Sequence, residues 1–375
     1  MSLNDTELLA MDIHRERVEQ ATDPDVLAAL GAESPGSREL ASLLSPAAAG
    51  HLEAMAQRAQ AITRRHFGRT INLYAPLYLS NYCSSGCAYC GFAADRPQPR
   101  RRLSLEELET ELNALKKMGL EEILLLTGER TPQADFDYLH ECVRRAATHF
   151  HLVTVEVFPM TVEEYRQLAQ AGCTGVILYQ ETYDRAVYEN LHRWGPKKDF
   201  LSRLEAPARA LEAGMRFVGL GVLLGLADPV ADILRLHRHA IELSRRFWRA
   251  GLSLSFPRLR PEAGHFQAPH PVNDRFLAQT IYALRIVLPD LHLVLSTREA
   301  AGFRDGMAGV GISKMSVASR TTVGGYAGDG NDHAEQFKVH DDRDMTAFCD
   351  ALRRKHLEPV LKNWDATYRE AVPCS

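Results

Sequence analysis

The chain places no fourth cysteine near Cys83, Cys87 and Cys90, and its other cysteines, Cys142, Cys173, Cys349 and Cys374, are scattered singly. A structural zinc site closes with four Cys or His ligands at short spacings, and no second Cys-x-x-Cys exists to complete one. Seven cysteines in 375 residues are too sparse, and odd in number, for a disulfide framework. No apolar run is long enough to span a bilayer. A formal charge of −4 gives no general attraction for nucleic acid or anionic membrane. Low-complexity sequence is absent beyond the brief Ala47–Gly50 stretch. The opening residues, Met-Ser-Leu-Asn-Asp-Thr-Glu, carry no charged-then-apolar signal pattern, so a reducing, cytoplasmic compartment is expected.

What is present is the run Asn-Tyr-Cys-Ser-Ser-Gly-Cys-Ala-Tyr-Cys-Gly-Phe, with Cys83, Cys87 and Cys90 in one short loop. Thiolates bind soft metals and iron–sulfur clusters, and three of them on a four-iron cluster leave one iron open for a substrate or cofactor.

From Ile71 onward, short Val-, Ile- and Leu-rich runs alternate with longer amphipathic segments, the pattern of repeated βα units around a parallel sheet. The expected strands are 71–79, 122–126, 152–157, 175–179, 217–223, 252–256, 292–295 and 312–317, about eight in all, which suggests an α/β chain folded as a TIM-type (βα)8 barrel. Helices are expected at 104–118, where Ser104 and Glu107 form a capping box, and at 271–288 and 342–355. No clean linker appears. The expected organisation is an N-terminal helical extension over 1–70, with an amphipathic helix at 46–65, the barrel over 71–320, and a C-terminal covering loop and helix over 321–375.

Active-site residues of such barrels follow the C-terminal ends of strands. The cysteine loop follows the first strand, and the polar residues after other strands should converge on it: Thr127, Gly128 and Glu129, then Glu156, Gln180 and Glu181, Arg258 and Arg260, Arg298 and Glu299, and Ser316 and Ser319.

Cys83-x-x-x-Cys87-x-Tyr89-Cys90 resembles the cluster motif of the radical S-adenosylmethionine enzymes. The resemblance implies a 4Fe–4S cluster whose open iron binds S-adenosylmethionine, with Tyr89 near the adenine. Thr127-Gly128-Glu129 is similar to that family's Gly-Gly-Glu segment, which holds the methionine amino group, with Thr127 replacing the first glycine. The segment from Gly221 through Gly225 to Asp228 is similar to its adenine-side glycine-and-acid segment, with Asp228 where Glu is commoner.

Leu44–Ala48, Pro76–Asn81, Tyr179–Tyr183, Ser255–Pro261, Leu295–Glu299 and Gly324–Tyr326 resemble the 2-iminoacetate synthases, the tyrosine lyases of thiamine thiazole biosynthesis. This resemblance implies cleavage of the tyrosine Cα–Cβ bond to 2-iminoacetate (dehydroglycine) and 4-cresol by a 5′-deoxyadenosyl radical, with methionine and 5′-deoxyadenosine released. It also implies thiazole synthase as a partner and a flavodoxin-like or ferredoxin-like electron donor. The substrate carboxylate calls for an arginine fork. Arg298 with Ser316 is the expected pair, Arg258 and Arg260 are the runners-up, and Glu181 is a further catalytic candidate. Glu156, Gln180 and Glu181 could hold ribose, the methionyl group or the substrate amine. Tyr74, Tyr78 and Tyr183 are candidates for the wall around the phenol, while His265, His333 and His340 are more simply solvated. The rival functions are a tryptophan lyase, a hydrogenase-maturation tyrosine lyase, which carries a second, C-terminal cysteine cluster, and a non-catalytic cluster carrier.

Overall fold

A computed structural model describes residues 14–260, 266–328 and 335–361. Eight parallel strands close into a barrel: β1 (Thr70–Tyr78), β2 (Glu122–Leu126), β3 (Leu152–Glu156), β4 (Cys173–Glu181), β5 (Phe217–Val222), β6 (Gly251–Ser255), β7 (His292–Leu295) and β8 (Lys314–Ser316). Closure is made at β1, whose Asn72–Tyr74 pairs with β8 and whose Ala75–Tyr78 pairs with β2. Strands covered on both faces read as continuous apolar runs, and β2 (Glu-Ile-Leu-Leu-Leu) is buried throughout. The eight expected strands are therefore the eight observed.

A ninth strand, β9 (Glu358–Val360), was not expected. It pairs in parallel with Thr70–Asn72, the part of β1 that extends below β2. Three residues inside a polar segment show too little periodicity to read as a strand, so the C-terminal stretch contributes to the sheet as well as covering it.

The helix Leu105–Lys117 starts where the capping box places it, with Ser104 accepting from Glu107 N–H. The other starts lie further along than hydrophobic periodicity suggests. The Asn273 side chain caps Asp274–Val287, and Asp344 caps Met345–Arg354. Before the barrel come Arg15–Gln20, Asp23–Gly31, Ser37–Leu43, a 3-10 turn at Ala47–His51, and Leu52–Phe67. Val26, Leu40, Leu43 and Met55 join the main apolar core, and Gln279 donates to the carbonyls of Leu43 and Ser45. The extension thus braces the outer face of Asp274–Val287.

The barrel interior is unusually polar for this architecture, which is ordinarily filled by branched apolar side chains. Tyr74, Thr154, Tyr179, Ser253 and Ser255 surround a space of about 20 Å³, beside which Lys314 pairs with Glu122. No helix of the described residues is long and apolar enough to cross a membrane.

Candidate active site

A cavity of about 130 Å³ opens at the C-terminal ends of the strands. Tyr89 and Cys90 line one side, Arg298, Ser296, Thr297 and Ser316 the other, with Glu156, Glu181, Arg260 and Lys197 between them. Gln336 and Phe337, from the C-terminal segment, also reach this wall.

The three cysteines are free thiols. Cys83 Sγ accepts Glu129 N–H at 3.3 Å, and Cys90 Sγ accepts Phe92 N–H at 3.4 Å. Such bonds stabilise thiolates in a cluster and tune its potential. Without a metal, burial pushes the Cys83 thiol up to about 11, with Cys90 adding to it. Burial raises Cys87 too, opposed chiefly by Lys197. Among the described residues, no three His, Cys, Asp or Glu side chains converge on one ion. Three thiolates on one short loop are the donor set that a 4Fe–4S cluster with one open iron would take. Gly128 lies hard against the loop: a Cβ there would come within 2.5 Å of Tyr82 O and 2.6 Å of Cys83 Cβ.

Glu129 is buried and ion-paired to Arg203, Nη1 to Oε1 at 2.8 Å, while its Oε2 has no partner among the described residues. An orphaned buried carboxylate oxygen is costly unless a ligand satisfies it. Beside the cysteine loop, it suits the ammonium of S-adenosylmethionine.

Lys197 and Arg203 were absent from the expected site. Both follow β4, on a 3-10 turn and a helix, where strand-end reasoning does not look. Lys197 Nζ binds Glu181 at 2.6 Å and lies 5.8 Å from the Tyr89 ring. Glu181 sits at φ +70°, beside a register shift in β4 that turns it inward. Burial favours its neutral form, but Lys197 and Arg203 outweigh that and hold the carboxylate ionised. Glu156 behaves oppositely. Burial, reinforced by Glu181, raises it to about 7 against the pull of Arg298, Lys197 and Arg203.

Tyr89 is fixed by His192, also unexpected, through a 2.8 Å contact from its hydroxyl to Nε2. His192 Nδ1 lies 2.8 Å from Tyr188 O, so Nδ1 carries the proton and Nε2 accepts from Tyr89. Burial, aided by Lys197, lowers His192 to about 3 and keeps it neutral.

On the opposite wall, the Arg298 guanidinium stacks 3.4 Å from the Phe337 ring centroid, and Arg298 O lies 3.0 Å from His340 Nδ1. Ser316 lines the cavity, but its Oγ accepts Thr297 N–H at 3.1 Å. The runners-up separate. Arg258 lies off the wall, tied to Glu299 and Asp274, whereas Arg260 lines it and shares Glu299.

Other expected positions have structural duties. Asp228 caps Pro229–Arg246, accepting from Val230 and Ala231, and pairs with Arg15, so it stands off the cavity. Thr127 Oγ1 donates to Gly128 O, and Gln180 donates to Phe200 O. Gly221 is bare because the Tyr179 ring lies against it, and Gly225 turns at φ +114°. Tyr74 and Tyr78 line the cavity, but Tyr183 is packed elsewhere against His239. His265 and His333 lie outside the described residues.

Residues 77–239 match the radical SAM superfamily, and residues 255–358 match the biotin and thiamin synthesis associated domain. The 2-iminoacetate synthase of Escherichia coli K12 is 41% identical over 96% of this chain and 95% of its own length. That of Salmonella typhimurium LT2 is 40% identical over the same shares. Among solved structures, HydG, a maturase of the FeFe-hydrogenase, superposes with a TM-score of 0.89 at 32% identity, covering 97% of this chain and 82% of that one.

Proposed function

The chain belongs to the 2-iminoacetate synthase family of the radical S-adenosylmethionine superfamily, and we propose that its cysteine loop and the facing Arg298 wall divide the cavity between cofactor and substrate. It is a lyase that cleaves the Cα–Cβ bond of L-tyrosine to 2-iminoacetate and 4-cresol. The near full-length identity carries this reading.

Cys83, Cys87 and Cys90 would hold a 4Fe–4S cluster, which with S-adenosylmethionine supplies, when bound, a 5′-deoxyadenosyl radical by one-electron reductive cleavage. Around it this chain's residues bind and orient. Glu129 Oε2 takes the methionyl ammonium, and Arg203 holds the Glu129 side chain in place. Tyr89, locked by His192, forms the adenine wall.

Arg298 receives the tyrosine carboxylate, and its planar fork is held flat by Phe337. Ser316 positions the Thr297 backbone beside it. Glu156, poised near neutrality, takes the proton of the substrate ammonium on its carboxylate, leaving the neutral amine from which a hydrogen atom can be abstracted. Tyr74 and Tyr78 flank the phenol.

2-Iminoacetate is an imine that water hydrolyses, so direct handover to thiazole synthase is proposed, as are a flavodoxin-like or ferredoxin-like donor and a reducing cytoplasm. A maturase-type reading has a specific basis in the HydG superposition, at the lower identity of 32%. Anaerobic turnover with tyrosine and tryptophan in competition tests the assignment. 4-Cresol with tryptophan unconsumed supports it, whereas cyanide or carbon monoxide among the products favours the maturase reading.

A further inference from the structure

The segment after the helix Arg185–Leu191 is stitched onto the outside of the cysteine loop. Ala88 N–H donates to Leu191 O at 2.9 Å, Gly86 N–H to Trp194 O at 3.1 Å, and Arg193 N–H returns to Gly86 O at 3.2 Å. Lys197 N–H donates to Ser85 Oγ at 3.1 Å. The indole of Trp194 rests directly on Gly86, where a Cβ would come within 2.3 Å of the ring. Yet Trp194 is 42% exposed. The ring lies on the backbone next to Cys87 and is still part exposed.

Cations surround the ring. The Arg193 guanidinium stacks on it at 4.5 Å and pairs with Asp95 at 2.8 Å. Arg96 reaches from the far side of the cysteine loop to the carbonyls of Ala88 and Cys90. Lys198 is exposed. This basic face stands on a chain whose formal charge is −4.

We infer that the face centred on Trp194 and rimmed by Arg96, Arg193 and Lys198 docks an acidic one-electron carrier protein that reduces the cluster site. The inference rests on the proposed function, which spends two electrons per turnover, one on cleaving S-adenosylmethionine at the cluster and one, with a proton, on converting the 4-hydroxybenzyl radical to 4-cresol; the carrier supplies the first. The carrier loses that electron and the cluster held by Cys83, Cys87 and Cys90 gains it, with no bond made in the transfer. Tunnelling falls exponentially with distance, so the carrier must meet the thinnest wall over the cysteines. The inner side of that loop faces the substrate cavity and is approached by Gln336 and Phe337, whereas on the outer side Gly86 is covered by the half-exposed indole of Trp194 and the Arg193 side chain stacked on it. An exposed aromatic ringed by cations suits a small, transient interface with an acidic partner.

The test uses the reconstituted holoenzyme with a purified acidic flavodoxin as probe. Oxidised flavodoxin is titrated for binding at low and high salt, and the flavodoxin hydroquinone is mixed with enzyme in stopped flow to follow cluster reduction. Dithionite, which needs no docking, is run in parallel. Lys198→Glu and Trp194→Ala should each weaken flavodoxin binding and slow reduction by about tenfold, as loss of a steering charge or an aromatic anchor does. Iron content and dithionite reduction should not change. Trp194→Phe should recover most of the rate, and Trp248→Ala, an exposed tryptophan before β6, should have no effect. If Trp194→Ala loses iron, Lys198→Glu decides. Unchanged flavodoxin binding and reduction in Lys198→Glu overturns the docking face. Failure of dithionite-reduced wild type to cleave S-adenosylmethionine overturns the functional reading instead.

Discussion

Arg203 Nη1 donates to Glu129 Oε1 at 2.8 Å, and the other oxygen of that buried carboxylate has no partner among the described residues. The pair joins the helix after β4 to the loop after β2, and Arg203 also donates to Tyr179 O at 2.7 Å. Removing the cation leaves a buried carboxylate alone, a change that costs about 3–5 kcal/mol in comparable pairs. Arg203→Met should therefore lower folding stability by that order in denaturant unfolding. Glu129→Gln should fold, yet bind S-adenosylmethionine at least about tenfold more weakly by calorimetry, since a charge-assisted bond is lost.

Gly128→Ala places a methyl against Tyr82 O and Cys83 Cβ, neither of which is a flexible side-chain end. Iron and sulfide per chain should fall well below wild type after anaerobic reconstitution. Ser at Cys83, Cys87 or Cys90 should abolish the cluster absorption, whereas Ser at Cys142, Cys173 or Cys349 should leave it intact.

Glu156 has a carboxyl raised from its ordinary value to about 7 by burial and by Glu181. A raised carboxyl favours folding in its neutral form, so this stability is fully present below the unfolded value near 4.5 and is lost as pH rises through about 7. In the cluster-free protein, Glu156→Gln should flatten the decline in stability between these limits, gaining about 3 kcal/mol over wild type at pH 8. Equal slopes in wild type and variant would remove Glu156 as the neutral-range acid.

Arg298 and Arg258 should respond differently. Arg298→Ala should keep iron and stability near wild type while weakening tyrosine binding by about a hundredfold, the loss of a bidentate contact to carboxylate. Arg258→Met should instead destabilise folding, because Glu299, 1% exposed, would keep Arg260 as its one partner among the described residues. Unchanged tyrosine affinity in Arg298→Ala would move the carboxylate site to Arg260, which lines the same cavity.

The barrel was legible because parallel strands carry dense apolar runs and because the cysteine motif has a fixed spacing. The first polar residues after β2, β3, β4 and β7 could be named for the same reason: strand ends are where such a barrel presents its chemistry. His192, Lys197 and Arg203 were not legible. They lie beyond the β4 end, and only the packing of that segment against the cysteine loop gives them a role. Asp228 misleads in the opposite sense, since an acid just before a proline-started helix is as readily a cap as a ligand. Tyr183 likewise follows a strand but turns into the layer behind it, a direction that composition does not encode.

The most direct test is anaerobic turnover of the reconstituted protein with reductant, S-adenosylmethionine and L-tyrosine, quantifying 5′-deoxyadenosine, 4-cresol and glyoxylate from hydrolysed 2-iminoacetate. The predicted result is equal amounts of all three, dependent on tyrosine. Formation of 5′-deoxyadenosine with neither 4-cresol nor glyoxylate would contradict it.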